Sequence, residues 1–181
     1  MPHKRRAAMD GEGLYDVLDG PQGDDARIRP NQILTVSLPH SPLEPPDQAA
    51  VVRVVGARLA TSYGLRTLDP DDPAYVPCYT GDVPSRDAAY HQGPAWAWLL
   101  PHYALAVHRV TGDAVYAQSL LEPMADHLAD AGLGTVSELF DAEPPHTPRG
   151  APSQAWSVAC TLDAWCRLEQ ARRSTQGHRH D

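Results

Sequence analysis

The stretch GPAWAWLLPHYALAVHRV (Gly93–Val110) decides the predicted fold class. We interpret it as an apolar helix that begins near Pro94, because proline is tolerated in the first turn of a helix. Pro101 lies further along and predicts a kink or a break. The apolar–polar alternation that indicates strands persists nowhere in the chain for more than a few residues. The stretch therefore predicts a helical core.

Helical patterns with start signals lie on both sides of this stretch. Apolar spacing after a residue type that caps helices predicts three helices: Gln48–Ser62 after Asp47, Ala114–Ala131 after Asp113 with a kink at Pro123, and Gln154–Arg172 after Ser153. A short buried helix is expected from Pro30 to Leu38. The last helix is expected to turn one apolar face to the core: Ala155, Val158, Ala159, Leu162 and Trp165. These patterns predict an all-α fold.

Two long polar segments join the helices, Tyr63–Ser85 and Thr135–Pro152. Loops of this length inside a domain are usually functional. Trp, Tyr, His and acidic residues collect in or beside these loops. Because arrays of helical hairpins carry their sites on such a rim of loops, we expect the functional residues there.

The composition limits the class of partner. The chain has 181 residues and a formal charge of −8, which disfavours nucleic acid and anionic membranes and is compatible with a neutral polyhydroxy ligand. No apolar run is long enough to span a membrane. Three cysteines without a pairing pattern indicate a reducing compartment, so we expect a cytoplasmic protein.

The aromatic residues favour a sugar ligand. Four tryptophans and seven tyrosines accompany one phenylalanine, and rings with an apolar face and a polar edge suit sugars. Filling the core is the commoner role of such rings. Paired metal ligands, nucleotide-binding loops and serine-nucleophile motifs are absent from the sequence, which predicts neither metal nor cofactor. We expect residues 13–172 to form the domain, and residues 1–12 and 173–181 to be disordered.

Four stretches together resemble the C-terminal half of the amylo-α-1,6-glucosidase domain of glycogen debranching enzymes. They are GLYDVLDGPQGDDARIRPNQILTVSLPHSPL (Gly13–Leu43), YGLRTLDPDDPAY (Tyr63–Tyr75), SRDAAYHQGPAWAWLL (Ser85–Leu100) and GLGTVSELFDAEPPHTPRGAPSQAWSVA (Gly132–Ala159). Their common order and spacing make the resemblance strong. It implies a six-hairpin (α/α)6 barrel with the active site at one mouth, and hydrolysis of α-1,6-linked glucose in branched α-glucan, such as a glycogen limit dextrin.

The resemblance also implies an incomplete barrel. A dozen helices of ordinary length need more than about 300 residues, so this chain supplies the later hairpins only. The carboxylic acid that protonates the leaving oxygen is expected in the earlier hairpins, before Gly13, and the missing N-terminal half of the enzyme is the expected partner. Two alternatives stay open: a non-catalytic remnant or glucan-binding protein, and a different six-hairpin glycosidase.

Glu138 matches the position where the family places its general base, the group that activates water in inverting glycosidases. Its neighbours Val136, Leu139 and Phe140 are suited to exclude water and to hold the loop rigid. Composition alone favours an ordinary loop glutamate, and only the complete motif favours catalysis. Asp141 is the second candidate carboxylate, with capping of the loop as an equal alternative.

Further residues of the motifs are expected to bind the substrate. Sugar hydroxyls donate and accept hydrogen bonds and therefore suit carboxylate, guanidinium and amide groups. The resemblance gives this role to Tyr15, Asp16, Arg29, Asn31, Gln32, Arg86, Asp87, His91, Gln92, Trp96 and Gln154. Trp96 is expected to be the platform under the sugar ring, and Trp156 to be a packing residue.

Several of these residues have structural alternatives. Arg29, Asn31 and Gln32 would equally tie the hairpin together, and Arg86 and Asp87 would form a local ion pair. Arg66 is expected to contact a carboxylate across the rim, or Asp69. The sequence departs from the family at two positions: Pro94 stands where the family has Thr or Ser, and Ala97 where it has Pro.

Overall fold

The computed structural model describes residues 8–9, 13–131 and 133–177. The described α-helices are α1 (Leu34–Ser37), α2 (Pro45–Arg58), α3 (Val83–Ala89), α4 (Leu99–Thr111), α5 (Ala114–Ser119), α6 (Glu122–Asp130) and α7 (Ala155–Gly177). A 3-10 turn, Pro30–Ile33, leads directly into α1. The strands are β1 (Ala8–Met9), β2 (Gly13–Leu14), β3 (Val17–Gly20), β4 (Gly23–Asp25), β5 (Leu65–Arg66), β6 (Ala95–Trp96), β7 (Leu139–Phe140) and β8 (Pro148–Arg149). The fold is mostly helical, as predicted, and the strands are an addition.

Helix α4 lies at the centre of the fold. It packs against α1, α2, α5 and α7, and nearly every side chain from Leu99 to Val107 is buried. A helix that is apolar around its whole circumference belongs inside a protein. The helix ends at Gly112, whose φ of +72° favours glycine.

The predicted proline kinks are replaced by helix starts. Helix α4 begins at Leu99, so Pro101 lies in its first turn, where the missing N–H costs no helical hydrogen bond. Pro123 likewise lies in the first turn of α6, and the single helix predicted over 114–131 is two helices. The cap at Asp113 is confirmed, because its carboxylate accepts from the Tyr116 N–H at 2.9 Å.

The other two predicted caps are wrong. Helix α2 begins at Pro45, and Asp47 lies inside its first turn. Helix α7 begins at Ala155, and the Ser153 hydroxyl instead bonds with the Thr135 hydroxyl at 2.6 Å. The fixed φ of proline suits the first position of a helix, so α2 begins at Pro45 and not after Asp47.

Four two-residue strands form an antiparallel sheet in the order β5–β6–β7–β8. Trp96 pairs with Leu65 on one side and with Leu139 on the other, and Leu139 pairs with Arg149. Strands this short carry no readable alternation, which is why the all-α prediction missed the sheet. The sheet joins both long loops to the start of α4.

Helix α7 packs on α4 and α5 with a different face from the predicted one. Ser157, Ala164 and Leu168 are fully buried. The predicted core face is exposed: Ala155 and Ala159, with Val158 at 37%, Leu162 at 62% and Trp165 at 37%. No element of the described residues covers that face, so the correct periodicity was assigned to the wrong side of the helix.

Both segments that were predicted to be disordered contain regular structure. Strand β1 pairs with β2 through Ala8↔Leu14 and Met9↔Gly13, and α7 continues to Gly177. The other parts of the predicted extension and tail lie outside the described residues. Within the described part of the chain, every helix is too short or too polar to cross a bilayer.

Candidate active site

Backbone hydrogen bonds hold Glu138 from both sides. Its N–H donates to the Ala151 carbonyl at 3.0 Å, and its carbonyl accepts from the Ala97 N–H at 3.3 Å. The two residues that follow, Leu139 and Phe140, are buried in β7. The sheet therefore fixes the main chain at the predicted catalytic residue.

Three donors hold the Glu138 carboxylate. Oε1 accepts from the Tyr90 hydroxyl at 2.6 Å and from Gln154 Nε2 at 3.1 Å. Oε2 accepts from the Ala151 N–H at 2.9 Å. The carboxylate oxygens accept all three of these hydrogen bonds. The side chain is only half-buried, which leaves it open to a ligand.

Glu138 lines a cavity of about 480 Å³ between the sheet, the 3-10 turn and the start of α7. This volume lies within the usual range for small-molecule sites. Five of the predicted substrate residues line the same cavity: Arg29, Asn31, His91, Trp96 and Gln154. Its other lining residues were not predicted to bind the substrate: Pro30, Thr67, Tyr90, Trp98, Leu99 and Trp156. We call it the aromatic cavity.

Stacked rings form one wall of the aromatic cavity. His91 stacks on Trp96 with ring centroids 5.2 Å apart, and Tyr90 meets Trp96 edge-on at 4.8 Å. Trp156 tilts against Trp98 at 5.8 Å. Trp96 is 5% exposed and Trp156 is 49% exposed. The ring predicted to be the platform, Trp96, is therefore buried, and the accessible ring is Trp156, which was predicted to be a packing residue.

Arg29 ties the loops around the aromatic cavity. Its guanidinium donates to the carbonyls of Thr67 at 3.0 Å and His91 at 2.6 Å, and to Gln92 Oε1 at 3.1 Å. It also lies 3.7 Å from the Asp16 carboxylate. Gln92 is thus placed behind the cavity wall, where it supports Arg29. These contacts match the tying role that sequence reasoning held as an alternative.

A smaller cavity of about 190 Å³ adjoins the first, and Arg29 and Asn31 line both. Tyr15, Asp16 and Gln32 line only the smaller cavity. Gln32 is buried there, accepts from the Leu14 N–H at 3.1 Å and donates to the Arg29 carbonyl at 3.0 Å. Asn31 is exposed and lines both cavities.

Two predicted substrate residues lie away from this site. Asp87 is exposed on α3 and is absent from the described lining of the aromatic cavity. Arg86 donates to the Gly81 carbonyl at 3.0 Å and lines a separate depression with Arg149 and Gly150. The short helix α3, capped by Asp82, turns these two side chains outward, while the residues after it turn inward.

Asp141 has a structural role. It is buried, accepts from both Nε and Nη2 of Arg149 at 3.0 and 2.8 Å, and accepts from the Tyr79 N–H at 2.9 Å. Arg66 pairs with Glu143 across the rim at 3.3 Å. Loop capping thus describes Asp141, and Glu138 is the carboxylate that faces the cavity.

Burial shifts the pKa values of His91, Tyr90 and Asp16, three groups in or beside the aromatic cavity. Burial lowers the pKa of the His91 imidazole, and the nearby Arg29 charge lowers it further. Burial raises the pKa of the Tyr90 hydroxyl, and its hydrogen bond to Glu138 raises it further, so Tyr90 remains a donor. Burial also raises the pKa of Asp16, against the opposing effect of Arg29.

A larger depression of about 800 Å³ lies between the β3–β4 hairpin and the segment from Asp69 to Pro73. Its described lining is rich in aspartate and contains no aromatic ring. Within the described residues, no group of three or more histidine, cysteine or acidic residues is arranged to hold a metal ion. The aromatic cavity, which Glu138 lines, is the candidate active site.

Comparison with known proteins gives the family. A family model described as amylo-alpha-1,6-glucosidase matches residues 4–163. The glycogen debranching enzyme of Saccharomyces cerevisiae is 26% identical to this chain over an alignment with a length of 191 residues. The alignment covers 92% of this chain and 12% of the yeast protein. The chain thus spans a small part of the length of that relative. Since the family match extends over most of its sequence, the chain belongs to the amylo-α-1,6-glucosidase family.

Proposed function

We propose that Glu138 is the general base of an inverting α-1,6-glucosidase site and directs water at the anomeric carbon of a glucose branch stub. The bond from water to carbon forms while the bond from carbon to the leaving oxygen breaks. Glu138 takes the water proton, and a general acid protonates the leaving oxygen. The supporting observation is that one carboxylate both faces the aromatic cavity and is fixed by three donors.

The remaining lining suits a glucose residue. Neutral His91 offers a donor and an acceptor to sugar hydroxyls, and exposed Asn31 offers an amide. Arg29 supports the cavity wall and does not itself bind the sugar, because its guanidinium already donates to two backbone carbonyls and to Gln92. We therefore propose a branched α-glucan, such as a glycogen limit dextrin, as the substrate.

The proposal requires a second carboxyl group. The inverting reaction places the acid about 6.5–9.5 Å from the base, and Glu138 is the one carboxylate among the described residues lining the aromatic cavity. Asp16 lies in the adjoining cavity, beside Arg29. We propose that the earlier hairpins of an (α/α)6 barrel, which lie outside these 181 residues, supply the acid. The uncovered apolar face of α7 supports such a neighbour.

Reconstitution tests whether the general acid comes from the earlier hairpins. The chain alone is expected to release no glucose from limit dextrin. Mixing or co-expression with the N-terminal barrel region of a family enzyme is expected to restore release, measured with a glucose-specific assay. Full activity of the isolated 181 residues would contradict an acid supplied from outside them.

Substitution of the base tests the assignment of Glu138. In the reconstituted enzyme, Glu138→Gln is expected to lower kcat by about 10²–10⁴-fold, with a smaller effect on KM. Glu143→Gln, at an exposed carboxylate on the rim, is the matched control and should retain most of the activity. Near-normal turnover of Glu138→Gln would refute the assignment.

A further inference from the structure

Helix α7 exposes apolar side chains in two directions. Leu162 lies six residues after Trp156, which at about 100° per residue places it roughly 120° away around the helix. Trp165 lies nine residues after Trp156 and thus about 180° away. Leu162 and Trp165 belong to the outward face, whereas Trp156 lines the aromatic cavity. The exposure of Trp156 therefore needs its own explanation.

The surroundings of Trp156 present its ring to the cavity. The ring rests on Trp98 at 5.8 Å and near Trp96 at 6.2 Å, and about half of its surface stays open. Two residues earlier, Gln154 donates to Glu138 at 3.1 Å. The start of α7 thus brings an open indole and the catalytic carboxylate to the same space.

Trp96 lacks the properties of a platform. It is 5% exposed, its Nε1 donates to the Tyr90 carbonyl at 3.1 Å, and one of its faces is stacked on His91. A ring held on these sides supports the wall of the cavity and has little area left for a ligand. The open ring is the one on α7.

We infer that Trp156 is the aromatic platform that carries the glucose ring whose anomeric carbon faces Glu138. A pyranose ring has an apolar face of C–H groups and a rim of hydroxyls, so an indole covers the former while His91 and Asn31 reach the latter. Trp98 backs the platform and fixes its tilt. This inference rests on the proposed function and adds the residue that binds the apolar side of the sugar.

Fluorine NMR of the full chain labelled with 5-fluorotryptophan tests the inference without requiring turnover. The four tryptophans give four resonances, each assigned with a Trp→Phe variant. Titration with isomaltose, the α-1,6-linked glucose disaccharide, is expected to shift the Trp156 resonance most and the Trp98 resonance less. The Trp165 resonance, on the opposite side of α7, is expected to stay in place.

Affinities from the same titration add a second readout. Trp156→Ala is expected to weaken isomaltose binding by about tenfold or more, Trp156→Phe to weaken it less, and the matched control Trp165→Ala to leave it unchanged. If isomaltose shifts the Trp96 or Trp98 resonance while Trp156 stays in place, the platform is wrong and the proposed function stands. If no resonance responds, the inference is overturned, and turnover of Glu138→Gln in the reconstituted enzyme decides the proposed function separately.

Discussion

At the scale of single residues, Gly150 controls the space around the Glu138 carboxylate. Its φ is +68°, and a Cβ built there would lie 2.2 Å from Glu138 Oε2. Alanine at this position would therefore strain the backbone and push the carboxylate away from the Ala151 N–H. Glycine is required here for both reasons.

We predict that Gly150→Ala lowers turnover of the reconstituted enzyme by about a hundredfold, the usual effect of displacing a catalytic group by about 1 Å. Gly112→Ala is the matched control, because its φ of +72° carries the same strain and nothing lies within 4 Å of its Cβ. Both variants should lose about 1–2 kcal/mol of stability in urea denaturation. Equal turnover in the two variants would show that displacement of Glu138 has no effect.

Tyr90 is predicted to position Glu138 through its hydroxyl. Tyr90→Phe keeps the ring contacts with His91 and Trp96 and removes the donor at 2.6 Å. A hydrogen bond to a charged group contributes about 1.5–3 kcal/mol, so kcat should fall by about ten- to a hundredfold and KM should change little. Tyr79→Phe, on the neighbouring ring, is the control. If Tyr90→Phe leaves both kcat and the pH–rate profile unchanged, Tyr90 does not position Glu138.

The sequence predicted several site residues and missed others for physical reasons. Glu138, Arg29 and Gln154 meet at one cavity because the motif order brings their loops to one rim. The resemblance gave Asp87 and His91 the same role, but Asp87 lies on α3 and His91 follows that helix, so only His91 lines the cavity. Spacing alone also gave no indication that Trp156 would be open, since exposure depends on which elements pack against α7.

At the scale of elements, His127 of α6 anchors the loop that leads to Glu138. It is buried, and its Nε2 accepts from the Ser137 N–H at 3.2 Å and lies 3.1 Å from the Ser137 hydroxyl. An accepting Nε2 requires the neutral ring. Burial accordingly lowers the pKa of His127, against the opposing charge of Asp130.

This contact predicts the direction of the pH dependence of stability. The pKa of His127 is lower in the folded protein than in the unfolded chain. Below about pH 6.5 the unfolded chain therefore binds more protons than the folded protein, and the free energy of unfolding falls as the pH falls. Urea denaturation between about pH 7.5 and pH 5.5 should show a shallower fall in His127→Gln. His40→Gln, at an exposed position before α2, is the control. An identical pH slope in wild type and His127→Gln would contradict the account.

Element type was more predictable than element boundaries. Every predicted helix overlaps at least one observed helix, because helical spacing extends over several turns. Prolines shifted the boundaries, since Pro45, Pro101 and Pro123 mark helix starts. The strands of the central sheet have two residues each and leave no periodic signal.

At the scale of the whole molecule, the outward face of α7 is the main uncovered apolar surface that the described helices present. Leu162 is 62% exposed there, with Val158 and Trp165 beside it. Contiguous apolar patches of this kind mark interfaces. The partial (α/α)6 arrangement remains our proposal.

We predict that the isolated chain self-associates through this face. Sedimentation velocity should show larger species as concentration rises, and Leu162→Glu should shift the population toward monomer without lowering the thermal midpoint. Leu133→Glu is the matched control, because Leu133 is 78% exposed and lies outside α7. A wild-type chain that stays monomeric and melts in one sharp transition would contradict the uncovered interface.

The anomeric configuration of the first glucose released by the reconstituted enzyme tests most directly whether Glu138 activates water. Proton NMR recorded before mutarotation distinguishes the two anomers. A single displacement by water on an α-linked glucose inverts the anomeric carbon, so the account predicts β-glucose. Release of α-glucose would mean that the sugar passes through a covalent intermediate, and would contradict the role assigned to Glu138.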